Sequence, residues 1–305
     1  MAWLDATIVD PGSLRVGPLA MDTELNNWLR DRVVAPNVEA CFVANPGNAG
    51  DGLIADATYR YFDNIAEHSW PAFEVGNPSI VNYPLMIYGG GGNLSELYTD
   101  AISQIELMAS LGKEIVVLPH TVSGYGGRLA SIADRVTIFC REHVSFEYLK
   151  KEGFPEEKLF LSEDMALKAP PELPNSCLLD GLSGGVRICL RTDRESALNF
   201  SVPASIDISR SWEGKFWSRK FLSQSVSRSV YDYLYGADLV VSDRLHVIIA
   251  SSVLGNNTIM LKNSYFKNLA MHSHSLVDRF PKTQLMSESS VLELFRELRI
   301  QVRES

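Results

Sequence analysis

The feature of this chain that most restricts its fold is a cycle that repeats through its first half. Each cycle has a short apolar run, a glycine-rich or polar turn and a stretch with helical periodicity, and the apolar runs lie at residues 38–43, 84–88, 114–118, 136–140 and 158–161. Such alternation is typical of βαβ units, whose strands pair in one parallel sheet. The pattern therefore predicts a doubly wound α/β domain, with helices near residues 52–62 and 94–110.

A group of prolines marks the end of this domain. Pro170, Pro171 and Pro174 can continue neither a helix nor a central strand, so the segment from Lys168 to Ser176 is predicted to be a linker. A second α/β pattern follows, with strands predicted at residues 185–190, 205–208, 237–241 and 258–261, and helices near residues 223–235 and 245–254.

The two patterns together indicate two Rossmann-like domains that face each other across a cleft, which is the GT-B-like arrangement. We place the amino-terminal domain at residues 1–170 and the carboxy-terminal domain at residues 176–275. In residues 276–305 apolar side chains recur with helical spacing, among them Val291, Leu294 and Leu298. We expect this last helix to pack back on the domain junction.

Charge and cysteine content limit the partners and the compartment. The net charge of −9 argues against a nucleic-acid partner, so an anionic ligand has to meet local arginine clusters. The four cysteines have no C-x-x-C spacing, which fits a reducing compartment. The amino-terminal residues MAWLDATIVD lack the pattern of a signal peptide, and no segment approaches the roughly 18 apolar residues of a membrane span. We therefore expect a soluble, cytoplasmic protein.

The motif Asp243-Arg244-Leu245-His246 leads from an apolar strand into an apolar helix. A permanent cation and a titratable imidazole thus lie at the carboxyl end of a strand, where open α/β sheets bind ligands. The alternative is a capped helix start, with Ser242 or Asp243 accepting backbone N–H bonds and Arg244 in a surface ion pair. Side chains two positions apart on a helix point about 200° apart, so Arg244 and His246 serve one ligand only if the helix starts late or the backbone supplies one contact.

Two glycine-rich turns also follow predicted strands. Gly90, Gly91 and Asn93 lie in a turn whose open backbone can approach an anion, although the G-x-G-x-x-G and P-loop spacings are absent and a flexible turn is the alternative. In the other turn, Asn48 precedes Asp51 at a helix start that stabilises a carboxylate as an anion. Asp51 is therefore either a helix cap or a base for a sugar hydroxyl.

Arginines complete the set of candidates. Arg141 and Arg191 each follow a predicted strand, as Arg244 does, so the topology sends three guanidinium groups toward one cleft. Such groups bind carboxylates and phosphates with paired hydrogen bonds, whereas each one alone is more often part of a surface ion pair. His272 and His274 have no cysteine or carboxylate framework around them, and we predict no metal site.

Read in order, several segments resemble the polysaccharide pyruvyltransferase family, particularly its bacterial exopolysaccharide members. The matching segments are NAGDGLIADAT, YGGGGNLSELY, VVLPHTVSG, FCREHVSFEYL, SEDMAL, DLVVSDRLHVIIASSVLG and NSYFKN. The resemblance implies transfer of the pyruvyl group of phosphoenolpyruvate to two hydroxyls of one sugar, giving a cyclic ketal on a lipid-linked oligosaccharide or related glycan. It also implies a GT-B-like scaffold without metal or cofactor, with the acceptor on the amino-terminal domain and the donor on the carboxy-terminal domain.

The resemblance also assigns roles to residues. Arg141, Arg244 and His246 match positions that hold phosphoenolpyruvate, Asp51 matches an acidic position near the acceptor, and Lys267 lies near the donor in the motif. We expect His246, Asp51 and Arg244 to be catalytic, because addition across the enol double bond needs an acid and a base. The remaining predicted substrate contacts are Asn48, Gly90, Gly91, Asn93, His120, Arg141, Arg191, Leu245 and Lys267.

Three positions depart from the family pattern. Val247 and Phe266 stand where glycine is usual, and Val247 could narrow the donor pocket. His120 stands where glutamine is common, which weakens an acceptor role for its loop. Two other functions fit the same scaffold, namely a glycosyltransferase that uses a nucleotide sugar and a non-catalytic glycan-binding subunit. A lipid-linked acceptor would bring the protein to the inner face of the membrane, beside membrane-bound polysaccharide assembly enzymes.

Overall fold

The computed structural model of the chain describes residues 23–66, 70–169 and 184–304. The amino-terminal segment, Cys177 and most of the predicted linker lie outside these residues. The described part is α/β with two parallel sheets, which confirms the predicted class. The GT-B-like arrangement and the domain limits stay predictions.

The first sheet has seven parallel strands and belongs to the first half of the chain. Its hydrogen-bonded order is β2-β1-β3-β5-β6-β7, with β4 paired to β5. The strands are β1 (Ala40–Ala44), β2 (Ala72–Glu74), β3 (Leu85–Tyr88), β4 (Gly91–Ser95), β5 (Glu114–Ser123), β6 (Val136–Cys140) and β7 (Leu159–Leu161). The order reverses between β1 and β3, and such a switch point opens a crevice at the carboxyl ends of the strands.

Among the described residues, six α-helices belong to the first half. They are α1 (Thr23–Leu29), α2 (Ala49–Ile65), α3 (Asp100–Ser110), α4 (Gly126–Ser131), α5 (His143–Lys151) and α6 (Met165–Lys168). The helix predicted near residues 94–110 begins later than expected. Its first residues form β4 instead, because Gly91, Leu94 and Ser95 pair with the second half of the ten-residue strand β5.

The second sheet has four parallel strands, in the order β12-β11-β10-β8. They are β8 (Val186–Cys189), β10 (Leu239–Ser242), β11 (Asn257–Met260) and β12 (Thr283–Leu285), while β9 (Phe200–Ser201) pairs antiparallel with β13 (Arg303–Glu304). The helices of this half are α7 (Lys220–Leu234), α8 (Leu245–Val253), α9 (Lys267–Met271) and α10 (Glu288–Glu297).

Two predictions for this half were wrong. Residues 205–208 form no strand, because the Ser205 hydroxyl accepts from the Leu190 N–H and the Asp207 carboxylate binds Arg244. The last helix, α10, does not pack on the domain junction. Its buried Val291 and Phe295 pack instead with residues of the second sheet, such as Ile188, which shields the outer face of that sheet.

The largest apolar cluster runs through both halves of the chain. It joins Leu53 of α2 to Val226 of α7 and continues to Leu245 of α8. Helices α2 and α7 approach closely at Gly52, where an added Cβ would lie 2.5 Å from Cγ1 of Val226 and 3.0 Å from the Trp217 ring. The shared cluster holds the carboxyl ends of the two sheets at a common cavity.

Candidate active site

A cavity of about 760 Å³ lies between the carboxyl ends of the two sheets. The first sheet contributes the turn after β1, the Gly92–Asn93 stretch of β4 and Arg141 after β6, and the second sheet contributes residues after β8 and β10. Nine of the predicted site residues line it: Asn48, Asp51, Asn93, Arg141, Arg191, Arg244, Leu245, His246 and Lys267. The sheet topology therefore brings most of the candidates together, as expected for the binding edge of parallel sheets.

Three predicted substrate contacts lie behind the cavity wall. An added Cβ at Gly90 would lie 2.7 Å from the Pro119 carbonyl oxygen, and Gly91 packs against Asn45. His120 is fully buried, and its Nε2 lies 3.2 Å from the Asn93 backbone nitrogen and 3.0 Å from the Asn93 Oδ1. Burial lowers the pKa of His120 to about 3, so the ring is neutral. His120 therefore supports Asn93, which itself faces the cavity.

Arg244 and His246 can both face the cavity because Arg244 lies before the first residue of helix α8. Arg244 has extended backbone angles (φ −87°, ψ 109°), and the helix begins only at Leu245. Ser242 Oγ accepts the Arg244 N–H at 2.9 Å, as in the capped-start alternative. Arg244 is nevertheless no surface residue, since only 3% of it is exposed. The structure thus meets the condition under which both side chains serve one ligand.

Acidic side chains hold Arg244 in place. Its Nε and Nη2 donate to the two oxygens of Asp207 at 2.8 and 2.6 Å, and Nη2 also lies 2.7 Å from Asp193 Oδ2. Paired hydrogen bonds of this kind fix the plane of a guanidinium group. Asp207, which does not line the cavity, therefore fixes Arg244 from behind, next to Asp193 in the cavity wall.

A third acidic residue, Glu195, joins two other cations. Its Oε2 accepts from Lys267 Nζ at 2.8 Å and lies 2.9 Å from Arg191 Nη1, while its Oε1 accepts from the Tyr98 hydroxyl of the first half at 2.8 Å. Although burial raises the pKa of Glu195, Lys267 and Arg191 lower it to about 2. Burial raises the pKa of Asp193 as well, but Arg191 and Arg244 more than offset this and lower it to about 2. Both carboxylates are therefore ionised.

Asp51 lies in the first turn of α2, where it is part of a capping box. Its Oδ2 accepts the Asn48 N–H at 2.9 Å, and the Asn48 side chain accepts the Gly50 N–H at 2.8 Å. Asn45 donates to the other oxygen at 3.1 Å. The sequence suggested a carboxylate stabilised as an anion, but burial raises the pKa of Asp51 to about 6 against the opposing effects of His246 and Lys267. Asp51 is therefore both a cap and a carboxyl group suited to proton transfer near neutral pH.

His246 and Arg141 come from different sheets but share one buried carboxylate. Asp164 Oδ2 accepts from Arg141 Nη1 at 2.6 Å and lies 3.4 Å from His246 Nε2. The Arg141 Nε donates to the Thr121 hydroxyl at 2.8 Å. Burial raises the pKa of Asp164, but His246 and Arg141 more than offset this and hold it well below its usual range.

Sequence reasoning missed the acidic partners of the cations. Asp164, Asp193, Glu195 and Asp207 were not among the candidates, although Asp193 stands two positions after Arg191 and Asp164 belongs to the SEDMAL segment. A carboxylate just beyond an arginine at a strand end was the available signal. Asp207 gave no such signal, because its contact with Arg244 spans 37 residues.

Two other histidines, neither of which lines the cavity, contact each other. His274 packs edge-on against His143, with ring centroids 4.8 Å apart. Within the described ranges, no group of three histidine, cysteine or acidic side chains could hold a metal ion. In the same part of the chain, no helix has the length and apolar character needed to cross a membrane.

Comparison with known proteins identifies a family and a solved structure that are similar to this chain. The family model for "Polysaccharide pyruvyl transferase" matches residues 48–265, which include every cavity residue of the first half from Asn48 onward and the Arg244–His246 stretch of the second. The crystal structure of "a functional uncharacterized protein" from Klebsiella pneumoniae subsp. pneumoniae is similar to this chain, with a TM-score of 0.74 and 30% identity over 88% of this chain and 99% of that one. None of the curated proteins matches the chain.

Proposed function

Because this chain belongs to the polysaccharide pyruvyl transferase family, we propose that it transfers the pyruvyl group of phosphoenolpyruvate to two hydroxyls of one sugar. The product is a cyclic pyruvate ketal on a lipid-linked oligosaccharide or related glycan of exopolysaccharide synthesis. In this proposal the two halves act as GT-B-like domains, with the acceptor on the first and the donor on the second. The transfer takes place in the cytoplasm, at the inner face of the membrane that carries the acceptor.

The observation that carries the donor assignment is the buried cationic wall of the cavity. Arg141, Arg191, Arg244 and Lys267 are each less than 10% exposed, yet all four line the cavity. Phosphoenolpyruvate has a carboxylate and a phosphate close together, and forked guanidinium groups match both. Each of these cations is paired with a carboxylate of Asp164, Asp193, Glu195 or Asp207. The wall therefore supports a small dianionic or trianionic donor through fixed N–H donors rather than through excess positive charge, and without a bridging metal ion.

The proposed reaction balances without a redox partner. A proton adds to C3 of phosphoenolpyruvate, C2 becomes cation-like, and a sugar oxygen bonds to C2 as its hydroxyl proton leaves. The C2–O bond to phosphate then breaks, and the second hydroxyl oxygen closes the ketal. The two sugar hydroxyls release two protons. One replaces the proton that was added to C3, and the departing phosphate takes up the other.

Two side chains are suited to move these protons. His246 lines the cavity beside the arginines, and an imidazole is the usual side chain for giving and taking protons near neutral pH. We assign it to the donor. Asp51 lies on the first-half wall with a pKa raised to about 6 by burial, and we assign it to the acceptor hydroxyl. Arg244 would offset the charge on the phosphate as it leaves.

The proposal is tested by incubating the protein with phosphoenolpyruvate and glycan fractions from a bacterium that makes pyruvylated exopolysaccharide. We expect release of inorganic phosphate together with a ketal carbon signal in the NMR spectrum of the glycan. Phosphate release without glycan modification, or glycan extension from a nucleotide sugar, would contradict it.

A further inference from the structure

Asp164 has an environment that a purely structural carboxylate does not require. Only 1% of its side chain is exposed, and it does not line the cavity. Its Oδ1 accepts the Ala166 N–H at 2.9 Å and so caps α6. Its Oδ2 faces two cavity residues that come from different sheets, namely Arg141 after β6 and His246 in α8.

The charges around Asp164 fix the direction of its hydrogen bonds. Arg141 is a permanent cation 2.6 Å from Oδ2, and together with His246 it keeps the carboxylate ionised in spite of burial. An ionised carboxylate is an acceptor only. The nitrogen of His246 that faces it, Nε2, must therefore carry a proton in the neutral ring as well as in the charged one.

The second nitrogen of His246 lies against the backbone of α2. An added Cβ at Gly50 would lie 2.6 Å from Nδ1, so only a glycine lets the ring approach the first turn of this helix, which also carries Asp51. With the proton fixed on Nε2, the lone pair of the neutral ring is on Nδ1. This nitrogen is then the one that exchanges a proton during turnover.

We propose that Asp164 is a positioning residue for the pyruvyl-transfer site. It fixes the tautomer and the orientation of His246, which belongs to the second half. The same oxygen of Asp164 also holds Arg141 of the first half in position beside His246. The inference rests on the proposed function for the reaction that His246 performs. The bond pattern itself is independent of which donor binds.

The first test uses the wild-type protein and needs no turnover. The six histidines are labelled with ¹⁵N, and the His246 ring is assigned by its loss in His246→Gln. We expect the neutral His246 ring to carry its proton on Nε2. A proton on Nδ1 would overturn the proposal, whether or not any Asp164 variant folds.

The second test compares Asp164→Asn with Glu163→Gln. Asparagine can still cap α6 but cannot act as an acceptor-only partner, whereas Glu163 pairs with Arg279 and does not line the cavity. We expect Asp164→Asn to lose the fixed Nε2–H tautomer and at least about tenfold of kcat, with a smaller change in KM for the donor because Thr121 still binds Arg141. Glu163→Gln should keep both the Nε2–H tautomer of His246 and the wild-type kcat.

The outcomes separate this proposal from the proposed function. If phosphoenolpyruvate is turned over but Asp164→Asn keeps the wild-type tautomer and kcat, Asp164 is only a helix cap. If phosphoenolpyruvate is not a substrate but the Nε2–H tautomer is present and lost in Asp164→Asn, the positioning role stands and the donor assignment fails.

Discussion

At the scale of single residues, the site depends on side chains whose pKa values are shifted by burial and by neighbouring charges. Arginines at strand ends could be recognised from the sequence because strand ends meet at one edge. Their carboxylate partners could not, since Asp207 and Asp164 reach Arg244 and His246 across 37 and 82 residues. The raised pKa of Asp51 was equally hidden, because a helix start alone favours the anion and only the fold shows that this carboxyl lies in the cavity wall, partly removed from solvent.

Asp51→Asn should separate donor binding from turnover. The amide is nearly isosteric and can still accept a capping bond, but it cannot take a proton. We expect unchanged phosphoenolpyruvate affinity and a loss in kcat of roughly 10²–10⁴-fold, the usual worth of general acid–base catalysis. Asp63→Asn, at the far end of the same helix, removes a carboxylate paired with Lys220 and is the matched control.

The pH dependence of the rate tests the same residue. A base whose pKa burial raises to about 6 is protonated and inactive below that pH. The rate in wild type should therefore rise as the pH is increased through about 6, and the residual activity of Asp51→Asn should lack this limb. An unchanged acid limb in the variant would place the base elsewhere.

Arg244→Lys should be far from conservative. Lysine keeps the charge but cannot bind Asp207 with two hydrogen bonds and contact Asp193 as well. We expect calorimetry to give a loss in donor affinity of about 1.5–3 kcal/mol, the range for a charge-assisted hydrogen bond. The exposed Arg210, which lies 3.6 Å from Glu213, gives the control Arg210→Lys. Wild-type affinity in Arg244→Lys would make Arg244 a structural residue.

At the scale of helices and strands, the spacing of the apolar residues predicted the elements well, except where polar contacts intervene. Strand β6 has the predicted bounds, and α8 starts at the predicted Leu245. The strand expected at residues 205–208 does not form, because Asp207 turns toward Arg244. Strand β4 was not predicted, and its residues were assigned to a glycine-rich turn and the start of a helix, because its pairing with β5 is a long-range contact that local periodicity does not report.

The contact between α2 and α7 gives a stability prediction. A methyl group at Gly52 would meet Val226 and Trp217 at 3.0 Å or less, whereas Gly127 in α4 has only the Glu152 carboxylate within reach, at 3.9 Å. We expect Gly52→Ala to lower the free energy of unfolding by about 1–3 kcal/mol, as overpacking does. Gly127→Ala should be neutral or stabilising by up to about 1 kcal/mol, because alanine favours the helix. Urea denaturation measures the free energy of unfolding of both variants. Equal effects would show that the α2–α7 contact accommodates the added methyl group at little cost.

At the scale of the whole molecule, two sheets present their carboxyl ends to one cavity and share one apolar cluster. The α/β class followed from the repeating cycle, but the shared cluster did not, because contacts such as Leu53 of α2 with the α7 region join segments far apart in sequence. The net charge of −9 also gave no sign of a cationic wall, since four buried cations hardly alter the total. We therefore expect an anionic donor to be bound by cations that their carboxylate partners already hold in place, and not by the charge of the whole molecule.

The central claim is that this wall binds phosphoenolpyruvate, and calorimetry with no divalent metal tests it most directly. We expect phosphoenolpyruvate to bind to the wild-type protein in chelator-treated buffer and to raise its unfolding temperature, with about 2.7 kcal/mol gained at a concentration near 100 times the dissociation constant. Arg244→Lys should weaken the binding, and Arg210→Lys should not. Binding of a nucleoside diphosphate or nucleotide sugar, with no heat and no thermal shift from millimolar phosphoenolpyruvate, would contradict the account.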